Sequence, residues 1–139
     1  MMPSKNYAYL GIYGDFDPED MASLIGIEPS HSEAKHSKVI RGRKLPQTSV
    51  LRLGQKHAEV IDGFVDVYKL TEDVYLELRD HAENIRNAIK SKNASAILQV
   101  VLDFPVADEI STPAIGFSSE VVEFANNVGA SIDIDTYRA

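Results

Sequence analysis

Three groups of side chains in this sequence have the types and spacing to do chemistry. The first is a run of cations. Residues 35–56 hold Lys35, Lys38, Arg41, Arg43, Lys44, Arg52 and Lys56 and not one Asp or Glu. Within it, Lys38, Arg41, Arg43 and Lys44 crowd around Gly42. That composition suits a phosphate, a carboxylate or an acidic protein face, each held by charge-assisted hydrogen bonds. The bland alternative is that these side chains are solvated or pair with the chain's own acids, the ordinary fate of a charge run. The second group is Asp133 and Asp135, two apart in a segment that alternates as a strand does. Both carboxylates then leave the same sheet face, where they suit a cation or an arginine. Their alternation with Ile132 and Ile134 is also the simple pattern of a strand with one solvated side. The third group is the four histidines, His31, His36, His57 and His81. None stands at a metal-binding spacing, and only His31 and His36 are close in sequence.

Other patterns fall short of a site. Asp15, Asp17 and Asp20 lack the ligand spacing of a calcium loop and read as helix capping. The stretch Gly116-Phe117-Ser118-Ser119-Glu120 lacks the second glycine of a nucleophile elbow, and Gly11 with Gly14 does not make a phosphate loop. With no cysteine in the chain, thiolate metal sites, disulfides and a cysteine nucleophile are excluded. No motif implies a metal or a cofactor.

The scaffold that must position these groups is of ordinary globular composition, 44% hydrophobic and 25% charged over 139 residues. Such a length predicts one domain spanning residues 1–139. The net charge of −7 opposes free binding to nucleic acid, since an acidic surface repels phosphates. It also conceals a segregation: seven of the 14 basic residues lie in residues 35–56, and all 21 acidic ones lie elsewhere. No segment approaches the roughly 20 apolar residues of a membrane span, and the N-terminus shows no signal-peptide pattern. The expectation is a soluble, cytoplasmic protein.

Residues 7–13, aromatic and β-branched, predict a strand. Asp17 and Pro18 then open a helix with Met21, Leu24 and Ile25 on its apolar face, closed by Gly26. Residues 28–47 show no period and predict a long loop; residues 48–53 predict a strand ended by Gly54. Val60, Ile61, Phe64, Val65 and Tyr68 recur at helical spacing. A long helix follows, capped by Thr71 and carrying Val74, Leu78, Ile85 and Ile89 up to residues 91–93. Residues 96–104 read as a central strand. A turn between Pro105 and Pro113 precedes a short strand at 114–117. Ser118 or Ser119 caps a last helix with Val121, Val122, Phe124, Ala125 and Val128 inward, Gly129 closes it, and residues 131–137 form the final strand. Two strand–helix–strand units around a central helical pair predict an α+β two-layer sandwich. Its mixed or antiparallel sheet carries the helices on one face, in a ferredoxin-like or related arrangement.

Three stretches carry a family resemblance: residues 9–21 (YLGIYGDFDPEDM) running into 24–29 (LIGIEP), the segment around Arg41-Gly42, and residues 118–122 (SSEVV) leading to 128–137 (VGASIDIDTY). Together they resemble the bacterial family known as domain of unknown function 4279, across essentially the whole chain. The ending is the most specific element. The resemblance implies the fold and no activity. It also implies a tryptophan in the strand after the basic run, where this chain has Val50 and Leu51 and no tryptophan anywhere.

The functional expectation is a non-catalytic binding module recognising a protein or a small anionic ligand through the basic run and an adjoining sheet edge. By fold-level analogy, small acidic bacterial proteins of this kind include toxin-neutralising immunity proteins. Surfaces of opposite charge also permit self-association. The rival is a small hydrolase-like enzyme using Asp133, Asp135 and a loop histidine as acid, base or metal ligands.

Overall fold

The computed structural model describes residues 5–59, 65–104 and 115–138. Its strands are β1 (Tyr7–Gly14), β2 (His31–Glu33), β3 (Lys38–Ile40), β4 (Arg43–Leu45), β5 (Ser49–His57), β6 (Ser95–Phe104) and β7 (Ala130–Arg138). Its helices are α1 (Pro18–Ile25), α2 (Val67–Leu78), α3 (Ala82–Ser91) and α4 (Ser119–Val128), with a 3-10 turn at Arg79–His81 between α2 and α3. The result is the expected α+β sandwich: a mixed five-stranded sheet in the order β2-β5-β1-β6-β7, and a separate ribbon of β3 and β4. β1 runs antiparallel to both neighbours, while β7 returns parallel to β6 after the α4 crossover.

The period-two pattern sorts each strand between two environments. Ala8, Leu10 and Ile12 of β1, Leu51 and Leu53 of β5, and Ala96, Leu98, Val100 and Leu102 of β6 all enter one hydrophobic core. They meet Met21 and Ile25 of α1, Val67, Leu70, Val74 and Leu78 of α2, Ile85 and Ile89 of α3, and Val121, Phe124 and Val128 of α4. Among the described residues no helix packs on the other face.

Local signals set the ends of the helices. The Asp17 carboxylate accepts from the Glu19 N–H at 3.2 Å with Pro18 next in line, and Gly26 ends α1 in the left-handed region. Ser118 Oγ accepts from the Val121 N–H at 3.3 Å, and Gly129 closes α4 in the same way as Gly26.

Several expectations are corrected. Residues 28–47 are not a featureless loop: they contain β2, β3 and β4. Gly54 does not end β5. At φ +63° it sits in a bulge where Ala8 pairs Lys56 but Leu10 pairs Leu53, so the strand bends and continues to His57. The helix expected from Thr71 starts earlier, at Val67, capped by Asp66, whose carboxylate accepts from the Lys69 N–H. Thr71 is buried and turns its hydroxyl back to the Val67 carbonyl at 2.9 Å. That helix is also broken at Arg79–His81. Leu24, Tyr68 and Val122, expected inward, are about half exposed. Ile115 to Phe117 form no strand. The expected helical positions Val60, Ile61 and Phe64, and the turn from Pro105 to Pro113, lie outside the described residues.

Candidate functional site

The basic ribbon projects from the end of the sheet where β1 finishes and β5 begins. Buried Ser49 fixes its base: its hydroxyl donates to the Phe16 carbonyl at 2.6 Å and accepts from the Lys35 N–H at 3.0 Å. The His36 N–H donates to the Pro46 carbonyl at 2.9 Å, closing the neck. Lys38 pairs Leu45, Val39 pairs Lys44 and Ile40 pairs Arg43, so Arg41 and Gly42 form a two-residue turn. Both have positive φ, +52° and +77°, which matches the strand twist of a tight hairpin.

Charge is distributed unevenly along this ribbon. At the base, Lys38 Nζ lies 2.7 Å from Glu33 Oε1 and Lys35 Nζ lies 3.7 Å from Asp15 Oδ2. The hydrogen bond from Lys38 holds the Glu33 carboxyl below its ordinary range. At the tip, Arg41, Arg43 and Lys44 are exposed and make no ion pair among the described residues. Val39 and Ile40 beside them are 70% and 51% exposed.

The open face of the sheet is the second concentration of chemistry. β1 contributes Tyr7, Tyr9 and Tyr13, β5 contributes Arg52, Gln55 and His57, β6 contributes Gln99, and β7 contributes Asp133 and Asp135. Arg52 Cζ stands 4.3 Å from the centroid of the Tyr9 ring, a cation–π contact. Tyr7 lies against His57, with ring centroids 5.5 Å apart. The Tyr13 ring folds over Gly11, where any side chain would collide with it, and its hydroxyl neighbours that of Tyr9. Tyr9 is only 5% exposed. Burial, then the neighbouring Tyr13, pushes its hydroxyl well above the ordinary phenol range, so it stays neutral. Gln99, opposite Tyr9 in the ladder, donates through Nε2 to Asp133 Oδ2 at 3.0 Å and to Asp135 Oδ2 at 3.3 Å. The two acids are therefore engaged by a side-chain amide of their own sheet.

With this geometry in place, the whole-chain comparison is decisive. A family model described as Domain of unknown function (DUF4279) matches residues 4–139. The chain belongs to that family. No curated protein and no solved structure matches it.

Within this DUF4279 domain the expected site residues divide into two places. Lys38, Arg41, Arg43 and Lys44 share the ribbon, whereas Asp133 and Asp135 lie on β7, the far edge of the sheet from β2. Four strand spacings of about 4.8 Å put His31 on β2 some 19 Å from these acids. His36 sits at the ribbon neck, so the acids and loop histidines of the enzymatic reading are not brought together. Among the described residues no three His, Asp or Glu side chains cluster as a metal site would require, and no helix is long and apolar enough to cross a membrane.

One residue that sequence reasoning passed over is Arg52. It was counted with the cationic run, yet it stands on β5 between core residues Leu51 and Leu53 and so must face the other way. That alternation was the available signal. Of the two residues standing where the resemblance implies tryptophan, Val50 shares the Arg52 face and Leu51 is in the core.

Proposed function

We propose that this domain is a non-catalytic binding module whose basic ribbon recognises an acidic protein surface. The observation that carries the reading is the contrast along the ribbon. The cations at its base are paired with Glu33 and Asp15, while Arg41, Arg43 and Lys44 at its tip have no ion pair among the described residues. Arg41 strengthens it. The first position of such a turn favours Asn, Asp or Gly, and a long β-carbon-bearing residue in the left-handed region costs about 1–2 kcal/mol. Strain of that kind is retained at sites that use the residue. Exposed Val39 and Ile40 add an apolar contact beside the charges, the mixture that protein interfaces employ. The acidic remainder of the chain keeps nucleic acid away from the same tip.

The test is affinity capture from a native extract with the intact protein and with an Arg41/Arg43/Lys44→Ala variant side by side, followed by rebinding of the purified partner. A partner that is acidic, elutes with salt and is lost with the variant supports the ribbon as the recognition element. A partner held equally by both proteins removes the ribbon from that role.

A further inference from the structure

The ribbon leaves one group on the open face unused. Arg52 lies opposite Gly11 of β1 and His31 of β2, with its guanidinium laid over Tyr9. No carboxylate among the described residues lies within ion-pairing distance of it, and its buried Nε–H has no acceptor. The nearest acidic neighbour in the ladder, Glu33, is already engaged by Lys38 at 2.7 Å. Glu33 feels the Arg52 charge without touching it, and a partly buried cation that lacks a direct carboxylate partner is one a ligand oxyanion can complete.

The surroundings give this cation an aromatic floor. The Tyr9 ring is a firm floor, because Tyr9 is buried, flanked by Tyr7 with ring centroids 6.1 Å apart, and neighboured by Tyr13. The guanidinium is itself planar, and its outer N–H groups form a fork that grips two oxygens of a carboxylate or phosphate at once. Gly11 contributes by having no side chain, which leaves room for the Tyr13 ring on this face.

We propose that Arg52 on its Tyr9 floor anchors a small oxyanion site on the open face of the sheet, taking a carboxylate or phosphate in a two-point grip. This site is separate from the ribbon and stands whether or not the ribbon binds a protein.

The experiment is a nuclear magnetic resonance titration of isotope-labelled full-length protein at constant ionic strength. Inorganic phosphate is the probe in one arm, acetate in the other, and sodium chloride serves as the balancing salt. The Arg52 Nε–H and Tyr9 ring resonances are followed together. The expected result is a saturable shift of both in at least one arm, and the arm that saturates first names the oxyanion. Arg52→Lys retains the charge and much of the stem but loses the fork, and should weaken that binding by about tenfold or more. The Arg41/Arg43/Lys44→Ala variant should bind as the native protein does. Linear, unsaturable shifts with both anions in the native protein overturn the proposal without recourse to any variant. So does Arg52→Lys binding within twofold of native, or loss of binding in the ribbon variant.

Discussion

Leu10 and Tyr9 are neighbours on one strand and belong to different kinds of surface. Leu10 points into the core that the strands share with the helices, and its side chain has no solvent exposure. Tyr9 is nearly as buried, yet what covers it is polar and charged: the Arg52 guanidinium, the Tyr13 hydroxyl and the Gln99 column. The covered face obtains its stability from apolar area removed from water, a non-directional term. The open face hides comparable side chains behind hydrogen bonds and a cation–π contact, which depend on orientation. Equal burial therefore does not mean equal purpose.

The largest effect should come from the covered face. Leu10→Ala is expected to lower the unfolding free energy by about 2–5 kcal/mol in urea denaturation, whereas Tyr9→Phe, which removes one hydroxyl, should cost about 1 kcal/mol. Similar losses for the two would erase the distinction between the faces. Next comes Gly11→Val, expected to cost about 1–3 kcal/mol because its side chain collides with the Tyr13 ring. If Tyr13 is the cause, adding Tyr13→Ala should recover much of the loss, giving a favourable coupling in a double-mutant cycle.

These contrasts also explain what the sequence could and could not disclose. Asp17-Pro18, Gly26, Ser118 and Gly129 were legible because a cap is decided by the residues within one turn of it. Thr71 misled because a hydroxyl that can cap a helix can equally bond the carbonyl four residues back, and burial decides between the two. The ribbon was hidden because its turn is Arg41-Gly42 rather than a familiar Asn-Gly, and its strands carry cations in place of an apolar alternation. Strand order is a non-local property, settled by how α4 returns β7 beside β6. The basic residues of the site were visible as composition. Their division into paired base and unpaired tip was not, since Glu33 and Asp15 meet Lys38 and Lys35 only after the chain has folded.

Two smaller effects probe that division. Arg41→Gly should raise stability by up to about 1 kcal/mol by relieving the left-handed turn, while weakening the proposed recognition. A stability gain with unchanged binding would mean the tip arginine is not used. The smallest effect belongs to the base. Glu33 has its carboxyl pKa lowered in the folded state by the Lys38 hydrogen bond. Its contribution is therefore present above the unfolded carboxylate range and lost as pH falls through the folded value. The melting temperatures of the native protein and Glu33→Gln should differ slightly at neutral pH and converge in acid. A gap that persists in acid would assign the pairing no role.

The sheet also ends in an unguarded place. β7 lies at one edge, nine residues long, with no further strand beside it among the described residues. Long open edges invite another chain to continue the ladder. Here Asp133 and Asp135 stand along that edge, so a second β7 laid against the first would bring carboxylates together in a column. Like charges set opposite one another disfavour such a pairing, which is one way an exposed edge is kept from continuing the ladder. Asp133→Asn/Asp135→Asn, which removes both charges, should therefore raise light scattering at neutral pH.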